Sequence, residues 1–405
     1  MPQSLGIQLG WIDYSNEHKK KVLTVLDALS APEAVDELGI GIVRDGFANI
    51  LFPGTSTIQT RAKYFFIVPY ILMELEKEKN LNPEKLLSKL VDIEIDLIEV
   101  LAQQSKDGVI GKRAGKKLKR KPSSIYWNGL RMYGIFKHPS LSIEGYAKAV
   151  TTLKREELSL INSGFQDSEK DSDDSDVTMG TGTGSFWRCL LPEENWKNTL
   201  TMDLTYNEAQ YLKERIIKSP LSKDSLFSYV LKNCADKVIE IADFDAIGKT
   251  IDLPLTIKED YELARKFSNF IYGANIRYNV ILSKGENREA ESAWEEWYNS
   301  NFVRNNFQDF NYMEVNQRLE LKNLRLISFL RNWYEAVLNG SLDEIDSLII
   351  AREIELKSKE RAKLNNSQVY DWKGKEWLGG KLQYRFKNTS RLIEDIVKGL
   401  KGDNV

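Results

Sequence analysis

GVIGKRAGKKLKRKPSSIYWNGLRMYGIFKHPSLSI, residues 108–143, contains nine basic side chains and no carboxylate. Lys112, Arg113, Lys116, Lys117, Lys119, Arg120 and Lys121 crowd into ten consecutive positions, in a chain whose formal net charge is only -2. A local excess of this kind implies a polyanionic neighbour rather than a generally basic protein. Pro122, Ser123 and Ser124 then supply a helix start, because proline forfeits no hydrogen bond there and serine oxygens can accept from free amides. The helix from Ser123 to Tyr133 carries Tyr126, Trp127, Asn128 and Arg131, and Gly134-Ile-Phe136 can begin a short strand. With the helix before the loop, that order suits a helix-turn-helix relative with a wing, a winged-helix-like element around 108–145. Two features oppose it: the connection is longer than such a turn, and Tyr126 with Trp127 would serve a core equally well.

Working outward, 405 residues are too many for one ordinary core, so the expected fold is mainly α with two helical lobes. A hydrophobic content of 42% and an aromatic content of 10% suffice to fill them. The 57 basic and 59 acidic residues nearly balance, so any selectivity for charge must reside in patches. Two cysteines, Cys189 and Cys234, neither in a CxxC pair, fit a reducing compartment. The sequence has neither a basic start leading into a long apolar run nor an apolar stretch long enough for a bilayer, which makes cytoplasmic the expectation and a membrane partner unexpected.

On the N-terminal side, helices are expected after Asp13–Ser15, ending near Leu29, and over Ile40, Val43, Phe47 and Leu51, the second ended by Pro53 and Gly54. Thr55, Ser56 and Thr57 are expected to open a further helix running to Met73. With Arg61 close behind, they form a candidate phosphate or anion site at a helix N-terminus; the alternative is a capped helix whose Arg61 pairs with a carboxylate such as Asp45. Asn82 and Pro83 start an amphipathic helix on which Asp92 and Asp96 share a face that Glu94 does not, so the acidic run reads as solvated rather than metal-binding.

Residues 163–185, SGFQDSEKDSDDSDVTMGTGTGS, have little to bury and are expected to be a disordered acidic linker between a 1–162 domain and a 186–405 domain. The second lobe offers a capped helix at NEAQYLKERII, a long one from Tyr261 to Leu282 with Gly273 and Ala274 at a close contact, and packing tryptophans Trp294 and Trp297. Helices over 319–338, 342–364 and 390–400 complete it.

Signals for a reaction are sparse. Two histidines, His18 and His138, leave triads and multi-histidine metal sites almost no material. Glu355-Leu-Lys357 has the ExK spacing of a metal-dependent nuclease but lies in a helix of alternating charge, and no Walker or dinucleotide loop occurs. No catalytic residue, metal or cofactor is expected. Gly10-Trp-Ile-Asp-Tyr14, Phe52-Pro-Gly-Thr-Ser-Thr-Ile-Gln-Thr-Arg-Ala-Lys-Tyr64, Ser124-Ile-Tyr-Trp-Asn-Gly-Leu-Arg131, Gly273-Ala-Asn-Ile-Arg-Tyr-Asn279, Arg352-Glu353 and Arg361-Ala-Lys-Leu364 together resemble an uncharacterised bacterial domain-of-unknown-function family. The resemblance implies a context near helicases and DNA-modifying proteins in phage-defence clusters, and no reaction.

The expected function is therefore a nucleic-acid-associated, non-catalytic accessory protein. Lys112, Arg113, Lys116, Lys117, Lys119, Arg120 and Lys121 would neutralise phosphates of duplex DNA, while Tyr126, Asn128 and Arg131 sit against it. A protein–protein adaptor using the basic loop and the acidic linker is the rival, and a metal-dependent nuclease the third reading.

Overall fold

A computed structural model describes residues 36–78, 81–105, 107–162 and 186–402, except 367–369, 371, 373 and 375–376, with residues 155–162 as helical backbone alone. The helix expected between Ser15 and Leu29 and the acidic stretch 163–185 lie outside the described residues. The protein is mainly helical. In chain order the helices are α1 (Gly41–Leu51), α2 (Tyr64–Lys77), α3 (Pro83–Gln104), α4 (Pro122–Met132), α5 (Ile143–Asn162), α6 (Tyr206–Lys218), α7 (Leu226–Asn233) and α8 (Ala235–Ile239). They continue with α9 (Ile247–Thr250), α10 (Leu255–Leu282), α11 (Arg288–Tyr298), α12 (Asn301–Asn305), α13 (Tyr312–Arg318), α14 (Leu324–Asn339), α15 (Leu342–Lys357) and α16 (Phe386–Lys401). Among the described residues no strand forms, and an isolated antiparallel bridge joins Phe136 to Trp187. The wing expected after α4 is therefore not formed.

Two compact units divide the chain. The first comprises the described residues up to Arg44 with Lys266–Lys381, and the second Asp45–Arg265 with the chain from Leu382 onward. Residues on both sides of 163–185 belong to the second unit, so these units do not follow a 1–162 and 186–405 division. The C-terminal helix α16 packs on α6 and α8, and so completes the unit that begins within α1.

In the second unit, α2 is buried from Tyr64 through Leu72, as expected of a helix whose sequence is apolar all round. α4 approaches it at Gly129, where an added Cβ would come within 2.6 Å of the Phe65 ring and 2.7 Å of the Gly54 carbonyl oxygen. Trp127, Phe136, Tyr146 and Trp187 then pack as one aromatic cluster, with Trp127 and Phe136 ring centres 4.7 Å apart. Local start signals hold for α3, where the Asn82 side chain accepts from the Lys85 amide at 2.7 Å, and for α6, where Thr205 and Glu208 form a reciprocal capping box.

The helix expected from Thr55 begins instead at Tyr64. Its amides are taken by distant side chains: those of Thr60 and Arg61 donate to the Tyr126 hydroxyl at 2.9 and 3.1 Å, and that of Ala62 to Asp395 Oδ2 at 2.7 Å. The Thr55 hydroxyl donates to the Phe52 carbonyl at 2.6 Å and caps nothing. Arg61 Nε lies 2.8 Å from Asp395 Oδ1, and its Nη2 lies 2.8 Å from Asp203. Arg61 and Asp395 are 8% and 3% exposed.

The first unit is knit from α10, α11, α14 and α15. Gly273 lets the Trp297 ring lie against α10, the close contact its sequence suggests, and Trp333 Nε1 donates to the Phe270 carbonyl at 2.9 Å. Glu353, wholly buried, accepts from the Tyr278 hydroxyl at 2.7 Å, Lys357 Nζ at 3.0 Å and the Leu364 amide at 2.9 Å.

Replacing Asp395 by Ala leaves the Arg61 guanidinium and the Ala62 amide buried without their main acceptor. Breaking such a pair costs about 3–5 kcal/mol, so the urea midpoint of the Asp395→Ala protein should fall steeply. A loss below about 1 kcal/mol, the range of an exposed pair, would contradict the burial.

Candidate nucleic-acid interface

The basic segment leaves α3 through a root that is packed and hydrogen-bonded. Val109 and Ile110 are buried, the Ile110 amide donates to the Tyr64 hydroxyl at 2.9 Å, and the Thr60 hydroxyl donates to the Gly108 carbonyl at 2.6 Å. Gly111 has φ +88°, and a Cβ there would meet Ile98 at 2.7 Å and Leu118 at 2.9 Å. Backbone bonds from Ala114 and Gly115 to the Gly111 carbonyl, at 3.0 and 2.7 Å, then fold the tip into a compact turn over Gly115–Lys117. Regular packing at the root and local bonds at the tip hold the loop in one shape, with its long side chains outward.

Lys112, Arg113, Lys116, Lys117, Lys119 and Arg120 are all exposed. Lys112 Nζ donates to the Ser105 carbonyl at 3.3 Å. Among the described residues, Arg113, Lys116, Lys117, Lys119 and Arg120 form no ion pair or hydrogen bond through their side chains. Lys121 differs: it is half-buried and its Nζ donates to the Leu118 carbonyl. Six adjacent cations without internal carboxylates repel one another, and a bound polyanion relieves that repulsion.

Beyond the loop, the expected contacts separate. Tyr126, placed against the duplex by its position in sequence, is 0% exposed. Its hydroxyl accepts the Thr60 and Arg61 amides and donates to the Arg61 carbonyl at 2.8 Å, and burial pushes its ionisation well above that of an ordinary tyrosine. Asn128 stays on the surface, and its Oδ1 accepts from Arg131 Nη2 at 3.2 Å; Arg131 Nη1 donates to the Pro139 carbonyl at 3.0 Å. These two groups are occupied with each other and with backbone.

The anion site expected at Thr55, Ser56, Thr57 and Arg61 is also corrected. No helix starts there, Thr55 is buried with its hydroxyl engaged, the Ser56 amide donates to Gln59 Oε1 at 3.2 Å, and Thr57 is exposed with its carbonyl accepting from Asn388 at 3.1 Å. Arg61 does pair with carboxylates, namely Asp395 and Asp203; Asp45 pairs with Arg385 at 3.2 Å. In the ExK triplet, Glu355 accepts from Arg352 at 2.6 Å whereas Lys357 donates to Glu353 and Glu37, so the two side chains serve different partners. Among the described residues no three of His, Cys, Asp and Glu are grouped closely enough to hold a metal ion. Among the same residues no helix is long and apolar enough to cross a membrane, and Cys189 and Cys234 are free thiols.

Glu94 is the functional neighbour that the sequence reading passed over. Asp92, Asp96 and Glu99 are exposed as expected, but Glu94 is 3% exposed and accepts from both the amide and the hydroxyl of Ser123. A carboxylate from α3 thus caps α4, favourably placed at the positive end of its dipole, while Ser123 donates rather than accepts. The signal was present: Leu90, Glu94, Leu97 and Leu101 follow one another at helical spacing, which puts Glu94 on the buried stripe.

Burial pushes the Glu94 carboxyl up to about 7, against opposing pulls from the Ser123 donors and Lys121. The folded value lies above the 4.5 of an exposed glutamate, so the native state holds this proton over a range where the unfolded chain has lost it. Its contribution to stability is complete below the unfolded value and is lost as pH rises through the folded one. Raising the pH from 5 to 8 should therefore cost the natural protein about 2–3 kcal/mol relative to Glu94→Gln, as measured by urea unfolding at each pH. Parallel pH profiles for the two proteins would show that Glu94 does not titrate in this way.

No curated protein and no solved structure matches the chain. A family model matches residues 7–204, which take in the GWIDY and FPGTSTIQTRAKY segments, the basic loop and α4, and stop short of the 273–279 and 352–364 segments. Residues 7–204 match the model of a family of unknown function, DUF6361.

Proposed function

We propose that the protein is a non-catalytic, nucleic-acid-associated accessory protein that grips duplex phosphates with the loop from Lys112 to Arg120. The observation that carries this reading is the row of exposed cations, five of which have no ion pair or hydrogen bond among the described residues, on a loop whose root is buried. Phosphate neutralisation needs cations in that condition, since a lysine already paired to a carboxylate gives up as much as it gains. The contact is with backbone rather than base edges, because Tyr126 lies inside and Asn128 and Arg131 are bonded to each other. Work beside helicases or DNA-modifying proteins in a bacterial phage-defence system is the context that the sequence resemblance implies.

Changing Lys116, Lys117, Lys119 and Arg120 together to Gln tests the loop. The logarithmic salt dependence of duplex binding should flatten by about 0.9 for each of the four lost contacts, whatever the DNA sequence. Tyr126→Phe should lower stability by about 1 kcal/mol and leave the salt slope alone, as expected for an interior hydroxyl. An unchanged slope in the fourfold variant removes the proposed contact, and magnesium-dependent loss of the duplex during the same titration would point to the nuclease reading instead.

A further inference from the structure

In the second unit, α2, the 190–201 segment and α6 line an open cleft of about 530 Å³ that the nucleic-acid reading leaves unused. That volume lies in the range of small-molecule sites. Its floor is a buried ion pair: Lys63 Nζ lies 2.8 and 2.6 Å from the two oxygens of Glu208, which also accepts the Thr205 amide at 2.9 Å and faces the Tyr70 hydroxyl at 3.5 Å. The ammonium and the carboxylate satisfy each other, so the floor is polar but close to neutral.

The walls are aromatic and aliphatic. Trp196 stands edge-on to Tyr70 with ring centres 5.4 Å apart, and Tyr211, Leu190 and Leu200 also line the space. At the rim, Glu214 is bound to Lys218 and Gln210, each at 2.7 Å, whereas Glu193 is exposed and has no side-chain partner among the described residues. Three carboxylates and one ammonium line the cleft, and the ammonium is already matched.

We infer that this cleft binds a small organic amine, with an aromatic or aliphatic body against Trp196, Tyr211 and Leu200 and its cationic head at Glu193. An anion such as a nucleotide would meet Glu193 and Glu214 without a free cation to receive it. The amine gains a charge-assisted hydrogen bond at the mouth and sheds apolar surface inside.

Three indoles of nearly equal size separate charge from shape: tryptamine, tryptophol and indole-3-acetate, titrated calorimetrically into the full-length protein. Tryptamine should bind saturably and at least about tenfold tighter than indole-3-acetate, the factor that about 1.4 kcal/mol of charge preference supplies, with tryptophol between them. Glu193→Gln, a change at an exposed position that leaves the melting temperature unaltered, should bring tryptamine down to the level of tryptophol. Indole-3-acetate binding as tightly as tryptamine, no saturable binding by any of the three, or tryptamine binding unaffected by Glu193→Gln would each overturn the assignment.

Discussion

One buried carboxylate, Asp395, determines how the second unit closes. It sits on α16 near the end of the chain and receives both the Arg61 guanidinium and the Ala62 amide, from residues more than three hundred positions earlier. Burial alone works against its charge and raises its ionisation, while the Ala62 amide and Arg61 pull the other way. Two consequences follow in space. The Thr60, Arg61 and Ala62 amides go to tertiary partners and the segment stays a turn, and the Tyr126 hydroxyl, which shares that task, lies in the core. In this arrangement the Arg61 guanidinium is matched by carboxylates and Tyr126 lies inside.

The charges of this unit fall into two physical classes. Arg61 with Asp395, and Lys63 with Glu208, are held in the interior, where a missing partner is costly and each oxygen is accounted for. The cations of the 112–120 loop stand in water, where exposure costs little and their mutual repulsion is screened by salt. The first kind ties together segments far apart in sequence. Only the second can respond to an external polyanion, which is why the functional reading rests on the loop and not on the interior arginines and lysines. Glu94 lies between the two classes, an interior carboxylate whose capping of α4 is set within reach of neutral pH at the point where the loop rejoins the core.

Much of the helical framework follows from short-range rules. Apolar spacing and caps marked α1, α3 and α6 to within a few residues, and α10 except for its first turns from Leu255, because both signals act within one or two turns. Gly273 indicated a close helix contact, and the Trp297 ring occupies it. The start of α2 was misplaced for the converse reason. Thr55, Ser56 and Thr57 have the composition of a cap, yet the acceptors that claimed the neighbouring amides come from Tyr126 and Asp395.

Taken alone, the sequence determined a mainly helical protein with a concentrated run of cations and little material for catalysis, since periodicity and local charge are properties of neighbouring residues. Which of the predicted surface groups reach water was decided only by tertiary structure: Lys116 to Arg120 do, Tyr126 and Arg61 do not, and Glu94 turns inward to cap α4. The make-up of the second unit was decided there too, because α16, far along the chain, returns to α6 and α8. The physical reason is the same in each case. A side chain's partner in the interior is chosen by packing and by the cost of leaving a polar group unmatched, and that partner's position in the sequence is not restricted to the next turn.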